Sequence, residues 1–326
     1  MENLPYIDWD RAAAVGRQAV HPGPELSPAR IAAVVDALRA AADKAPAHVA
    51  EVSGMATPAE ADTLVVDRAS WVSAMVGSAR ALLTELGAPA AATGSLDSLR
   101  GGALGVQAGG AFAVIASRIL GQFDPFGQPH RLLLVAPNVV SIESRLGVNP
   151  TDFRLWVCLH EQTHRFQFGQ APWLRGHLLD LMRELLSETE PLQQWRAGET
   201  PRSVADLVVS PAQKATFDQL TAIMSLVEGH ADVMMDRVGT SVLPTLPVIR
   251  RAFENHRDRG GWSAVVGKLL GADLKRAQYR DGAKFCQAVL DRAGLDTLNV
   301  AFSEASMLPT LAEIHDPEQW LHRVNS

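Results

Sequence analysis

Cysteine is nearly absent. Cys158 and Cys286 are the only two in 326 residues, and they stand far apart. This excludes a disulfide framework and any Cys-x-x-Cys metal or redox motif, and it makes a reducing compartment the expectation. Both fall in helical patterns as small core residues. Lysine is also scarce, with 5 against 25 arginines, and acidic residues outnumber basic ones 36 to 30 for a net charge of −6. The densest basic stretch, Arg250-Arg251 with Arg257 and Arg259, is interrupted by Glu254 and Asp258. No electrostatic footprint for nucleic acid results. Long apolar runs are missing too. The uncharged stretch from Gly101 to Ser117 is short for a membrane span and holds five glycines plus Gln107, so a close-packed buried helix is expected there. The first residues show no basic region followed by an apolar run. The expectation is a soluble, cytoplasmic protein with no membrane partner. No repeat or low-complexity linker breaks the chain.

A hydrophobic content of 47% allows a sizeable core, in one large domain or two. The dominant periodicity is helical, so the expected fold is mainly α with a short β element. Ser27-Pro28 pairs an N-cap with a first-turn proline and predicts a helix to about Lys44. Asp67 caps a helix through Trp71, Met75 and Leu82 that ends near Gly87. Arg131-Leu132-Leu133-Leu134-Val135-Ala136 reads as the one convincing strand, stopped by Pro137, with an edge able to hold extended substrate by backbone pairing. The turn-rich segment near 121–129 divides a helical N-terminal domain, 1–125, from a metal-bearing domain, 126–326.

The most informative string is His160-Glu161-Gln162-Thr163-His164, an HExxH pattern. On a helix, residues four apart share one face, so both imidazoles can reach a single cation, with Glu161 beside its open position. Zinc takes neutral nitrogen ligands and, in catalytic sites, keeps one position for water, whose proton a neighbouring carboxylate can accept. The lead-in from Thr151 carries no helix breaker. Thr151 or Asp152 can cap the first turn, Leu155, Leu159 and Phe166 lie away from the histidines, and Gly169 and Pro172 end the helix. A helix buried on one side with metal on the other follows.

A third ligand is needed. A second helical pattern, Pro211 to about Val238, carries Glu228, with Asp232 one turn later in position to hydrogen-bond a ligand imidazole. His230 and His177 compete for the third place. His230 lies about 200° around the helix from Glu228, so the two do not ligate together. The metzincin pattern is excluded, because its Gly and third-His offsets hold Gln167 and Gln170 here. Tyr279 or His230 could donate to an oxyanion, and Lys275 and Arg280 could meet a substrate carboxylate. These parts point to hydrolysis of a peptide or amide bond with Zn2+ as cofactor and Glu161 as general base. A different class also fits: a non-catalytic protein whose zinc staples its helices, closing the fourth position with His230 or His177.

Short strings along nearly the whole chain carry a family resemblance. They are Ile7-Asp8-Trp9-Asp10, Gly23-Pro24, Val66-Asp67-Arg68 with Trp71, Leu120-Gly121-Gln122-Phe123-Asp124, Ala136-Pro137-Asn138, and Trp156-Val157-Cys158-Leu159-His160-Glu161. Pro172-Trp173-Leu174, Glu228-Gly229-His230-Ala231, Lys275-Arg276-Ala277-Gln278-Tyr279 with Gly282 and Phe285, Leu308-Pro309-Thr310 and Asp316-Pro317 continue it. In these the chain resembles the actinobacterial zincin-like metallopeptidase family associated with biosynthesis of the deazaflavin coenzyme. The resemblance implies a mainly α-helical zincin with a helical N-terminal domain, and zinc on His160 and His164 with Glu228 as third ligand. The coenzyme link is one of gene neighbourhood and names no substrate. The spacer from His164 to Glu228 is longer than in thermolysin-like peptidases, so their subsites do not transfer.

Overall fold

The structure is a computed structural model that describes residues 4–59, 61–127, 129–187, 211–257 and 275–326; the side chains of 187, 211–212, 254–257 and 275–280 lie outside that description. The chain divides into two compact units. The first comprises Met1–Asp43 with Glu60–Glu161, and the second Lys44–Ala59 with Gln162–Ser326. The described elements are mainly helical, with one small three-stranded sheet. The segment at 121–129 lies inside the first unit.

In the first unit, Asp8 caps α1 (Trp9–Ala19) by accepting from Arg11 N, and Asp67 caps α3 (Arg68–Glu85) by accepting from Ser70 N. Ser27 accepts from Arg30 N at the start of α2 (Pro28–Ser53). That helix runs past Lys44 and through Pro46. Proline removes the bond to the Ala42 carbonyl, but Ala42, Ala45 and Val49 are buried, and packing outweighs the lost bond. Helix α4 (Ser95–Ala116) lies on α1 through its glycines. A Cβ at Gly105 would stand 2.4 Å from Asp8 O, and one at Gly109 would stand 2.4 Å from Ala12 O. Backbone touches backbone, and no other residue fits. Only this face is buried. Leu96, Leu99, Val106 and Val114 on the outer face are 42–72% exposed, which corrects the expectation of a helix buried all round. By length and composition α4 is apolar enough to cross a membrane.

The sheet has the order β1-β3-β2, with β1 Asp62–Val66, β2 Gly121–Asp124 and β3 Arg131–Val135. β3 pairs parallel with β1 and antiparallel with β2. Leu132 to Val135 are fully buried, which is why β3 reads as an unbroken apolar run. Trp71, Val72, Met75 and Val76 of α3 pack with Leu133, Val135, Ala12 and Val20 to form the core. β3 is therefore the central strand and has no edge to offer a substrate. The outer edge belongs to β2. Leu120 O accepts from Val135 N at 2.8 Å, so by antiparallel alternation the backbone groups of Gly121 and Phe123 point away from β3.

Helix α5 (Ala136–Leu146) separates β3 from the motif helix α6 (Pro150–Gln170). The strand ends at Val135, ahead of Pro137, and that proline sits in the first turn of α5. The cap of α6 is neither Thr151 nor Asp152. Asn149 Oδ1 accepts from both of their backbone N–H groups, at 2.9 and 3.2 Å, and Pro150 takes the first helical position, where a missing N–H costs nothing. Arg154 ties α6 to α5 through two buried bonds to Glu143, 3.0 and 2.6 Å long.

In the second unit, α7 (Leu174–Ser187), α8 (Pro211–Val242), α9 (Leu246–Arg257) and α10 (Lys275–Val300) are followed by a 3-10 turn at Ala305–Met307, α11 (Leu311–His315) and α12 (Pro317–Val324). Gly239, at φ 72°, breaks α8 one residue after Val238, where its helical pattern in the sequence ends. α8 and α10 meet at two glycines. A Cβ at Gly229 would lie 2.2 Å from Gly282 C, and one at Gly282 would lie 2.0 Å from Ser225 O.

Candidate metal centre

Helix α6 is buried on nearly every side, not on one side as its pattern suggested. From Val157 to Gln167 only His160 and His164 escape full burial. The i, i+4 spacing stacks them on one face, and α8 supplies the third group. His164 Nε2 stands 3.7 Å from Glu228 Oε1, and the candidate ligand atoms of His160, His164 and Glu228 all lie within 4.8 Å of one another. The 3.7 Å separation is too long for a hydrogen bond. Two ligands of a tetrahedral ion, each about 2 Å from it, stand roughly 3.3 Å apart, so the spacing suits a shared cation. The donor set of two imidazoles and one carboxylate is one that zinc accepts.

Behind His164 sits Gln167, which is fully buried. Its Oε1 is 2.9 Å from His164 Nδ1, and its Nε2 donates to Val227 O at 2.8 Å and lies 3.0 Å from His230 Nδ1. His230 therefore stands one layer behind the cluster, edge-on to Phe302 at 5.1 Å. Burial, helped by the nearby His164 and opposed by Asn299, pushes its pKa down to about 3. It is a neutral, interior imidazole. Asp232, one turn after Glu228, has its carboxylate 3.3 Å from Arg250 Nη1. His177 lies on α7, edge-on to Trp173 at 6.0 Å. The cluster among the described residues contains neither His177 nor His230. The side chains of Tyr279, Lys275 and Arg280 lie outside the described residues.

Glu161 is 1% exposed. Its Oε2 accepts from Phe123 N at 3.0 Å, so the outer edge of β2 grips the carboxylate next to the first ligand. Gly121 makes room for it, since a Cβ there would lie 2.7 Å from Glu161 Cγ. Sequence reasoning missed both contacts because it read 121–127 as a turn. It also noticed Gln167 only as a residue that breaks another motif, although three residues from His164 on one helix is contact spacing. Cys158 and Cys286 are fully buried with thiol pKa values pushed well up, mainly by burial. Neither is a nucleophile.

With this geometry in hand, three comparisons bear on kinship. A crystal structure from Chloroflexus aurantiacus, described as a candidate hydrolase with a novel fold, superposes with a TM-score of 0.72 at 28% identity, covering 98% of this chain and 99% of that one. No curated protein matches. The family model described as zincin-like metallopeptidase matches residues 7–321. The chain belongs to the zincin-like metallopeptidase family.

Proposed function

We propose that the protein is a zinc-dependent hydrolase of a peptide or amide bond, with His160, His164 and Glu228 as ligands and Glu161 as general base. The convergence of the three ligand atoms within 4.8 Å carries this reading. Zinc held there supplies Lewis acidity toward a scissile carbonyl and lowers the pKa of a water toward about 7. The chain supplies the rest. Glu161, oriented by the Phe123 N–H, takes a proton from the attacking water and hands it to the leaving nitrogen. The backbone of Gly121 lies beside that carboxylate on the same outer edge of β2 as Phe123, and an extended substrate pairs along it. Three protein ligands among the described residues match a catalytic site, whereas a structural zinc takes four. Action in the cytoplasm is part of this proposal, and the two buried free cysteines are consistent with it.

The test is a digest of a peptide library by zinc-loaded protein, with new termini read by mass spectrometry, beside Glu161→Gln. The wild type cleaves and the variant does not, while both hold about one zinc per chain. Equal cleavage by the variant overturns the assignment of the base.

A further inference from the structure

A file of polar groups crosses the second unit behind the ligand His164. It runs from the Ser53 carbonyl at the end of α2 through Asn299 on α10, His230 on α8 and Gln167 on α6. The direction of each bond is fixed from the ends, where the chemistry leaves no choice. The Val227 carbonyl can only accept, so the Gln167 atom 2.8 Å from it is the amide nitrogen. The amide oxygen is then the atom 2.9 Å from His164 Nδ1. An oxygen cannot donate, so the His164 proton sits on Nδ1 and a lone pair is left on Nε2. That is the nitrogen 3.7 Å from Glu228 Oε1.

The second N–H of the same amide faces His230 Nδ1 at 3.0 Å. That nitrogen must offer a lone pair, so the His230 proton sits on Nε2, toward Asn299. Asn299 gives its own N–H to Ser53 O at 2.8 Å, which leaves Oδ1 as the acceptor. Neither that oxygen nor His230 Nε2, both buried, has a hydrogen-bond partner among the described residues. Two histidines on either side of one amide thus hold opposite tautomers.

We propose that Gln167 is a positioning residue that sets the tautomer of His164 and so delivers the nitrogen facing Glu228 as an unprotonated ligand. The proposal rests on the metal-site reading above, because only a ligand role gives that choice of nitrogen a consequence. An imidazole released from this bond is free to place its proton on Nε2, and it would then have to move that proton before coordinating. A partner holding the other ring nitrogen is the general means of fixing a ligand histidine; here a neutral amide, braced by a second buried histidine, takes that part.

The test uses metal-free protein labelled with 15N-histidine, with ring tautomers read from long-range proton–nitrogen correlations assigned by single-histidine replacements. The expected wild-type result is Nδ1–H for His164 and Nε2–H for His230. Gln167→Met removes acceptor and donors together, so His164 shifts to Nε2–H and zinc affinity falls by roughly 10–100-fold. Gln167→Glu, buried and protonated on the oxygen facing Val227 O, keeps an acceptor for His164, whose tautomer stays, but presents a hydroxyl oxygen to His230, which turns over to Nδ1–H. A residue that merely fills space would not move one ring and leave the other. A wild-type His164 protonated on Nε2, or a His164 tautomer unmoved by Gln167→Met, overturns the proposal. Should Gln167→Met fail to fold, the wild-type and Gln167→Glu spectra still decide. Failure of the metal reading looks different: the tautomers stand as assigned and the protein takes up no zinc.

Discussion

The backbone N–H of Phe123 donates to Oε2 of Glu161 across 3.0 Å, joining an outer sheet edge to the acidic residue of the HExxH string. This bond sets β2 against the HExxH string. The carboxylate is aimed by main chain, which side-chain substitution cannot remove, and the clearance beside it depends on Gly121 having no Cβ.

Gly121→Ala tests that clearance. The new methyl would fall 2.7 Å from Glu161 Cγ and force the carboxylate to move. A displacement near 1 Å at a reacting group costs about 100-fold in rate. The expected outcome is a kcat lowered by about that factor with zinc content unchanged, measured by steady-state kinetics and metal analysis on the same preparation.

Glu228→Gln removes the charge of the proposed third ligand while keeping its shape. Zinc affinity should fall by more than the roughly 10–100-fold typical of losing an outer partner. In the wild type, zinc at about 100 times its Kd adds about 2.7 kcal/mol of stability, seen as a rise in Tm. That rise should be largely lost in the variant at the same zinc concentration.

Two glycines predict opposite signs, one at the crossing of α8 and α10 and one inside α3. Gly282→Ala would place a Cβ 2.0 Å from Ser225 O, backbone that cannot step aside, and should destabilise by about 1–3 kcal/mol or more. Gly77, inside α3, has nothing within 4 Å of a Cβ. Gly77→Ala should therefore gain about 0.5–1 kcal/mol. Urea unfolding of both variants beside the wild type checks the pair.

Acid dependence has a clear local source on α11. Burial pushes the Glu313 carboxyl pKa up, but bonds from Arg323 and from Thr310 N, with the Arg323 charge, together hold it below its ordinary value. Its stabilisation is thus fully present above the ordinary carboxylate range and lost as pH falls through the lowered value. Arg323 is 38% exposed, so solvent screening trims the effect. Glu313→Gln should cost about 1–2 kcal/mol at pH 7, and the gap from wild type should close as the wild-type carboxyl itself protonates. Denaturant melts from pH 7 down to pH 3 check the sign.

The cluster of candidate ligands was legible in the sequence because helical spacing is rigid. A spacing of four from His160 to His164 fixes a shared face whatever surrounds it, and the uninterrupted pattern around Glu228 marks a helix to about Val238, next to the break at Gly239. Contacts made across the chain were not legible. Gly121 to Asp124 holds glycine and aspartate and no β-branched residue, so nothing local marks it as a strand. It becomes one because Leu132 to Val135 offer it a buried partner. The helix expected to run to about Lys44 continues to Ser53 for the same reason, since the packing of Ala45 and Val49 outweighs the proline at 46. Gln167 shows a third kind of gap. Its neighbour His164 could be read from spacing, but its second neighbour, His230, comes from a helix more than sixty residues away, and only the fold brings the two rings to one amide.

The most direct test of the central claim is anomalous-difference density at the zinc edge in crystals of the zinc-loaded protein. The account predicts one peak per chain, about 2.0–2.2 Å from a nitrogen of His160, Nε2 of His164 and a carboxylate oxygen of Glu228. A peak elsewhere, or these three side chains parted beyond coordinating reach with zinc in excess, would contradict it.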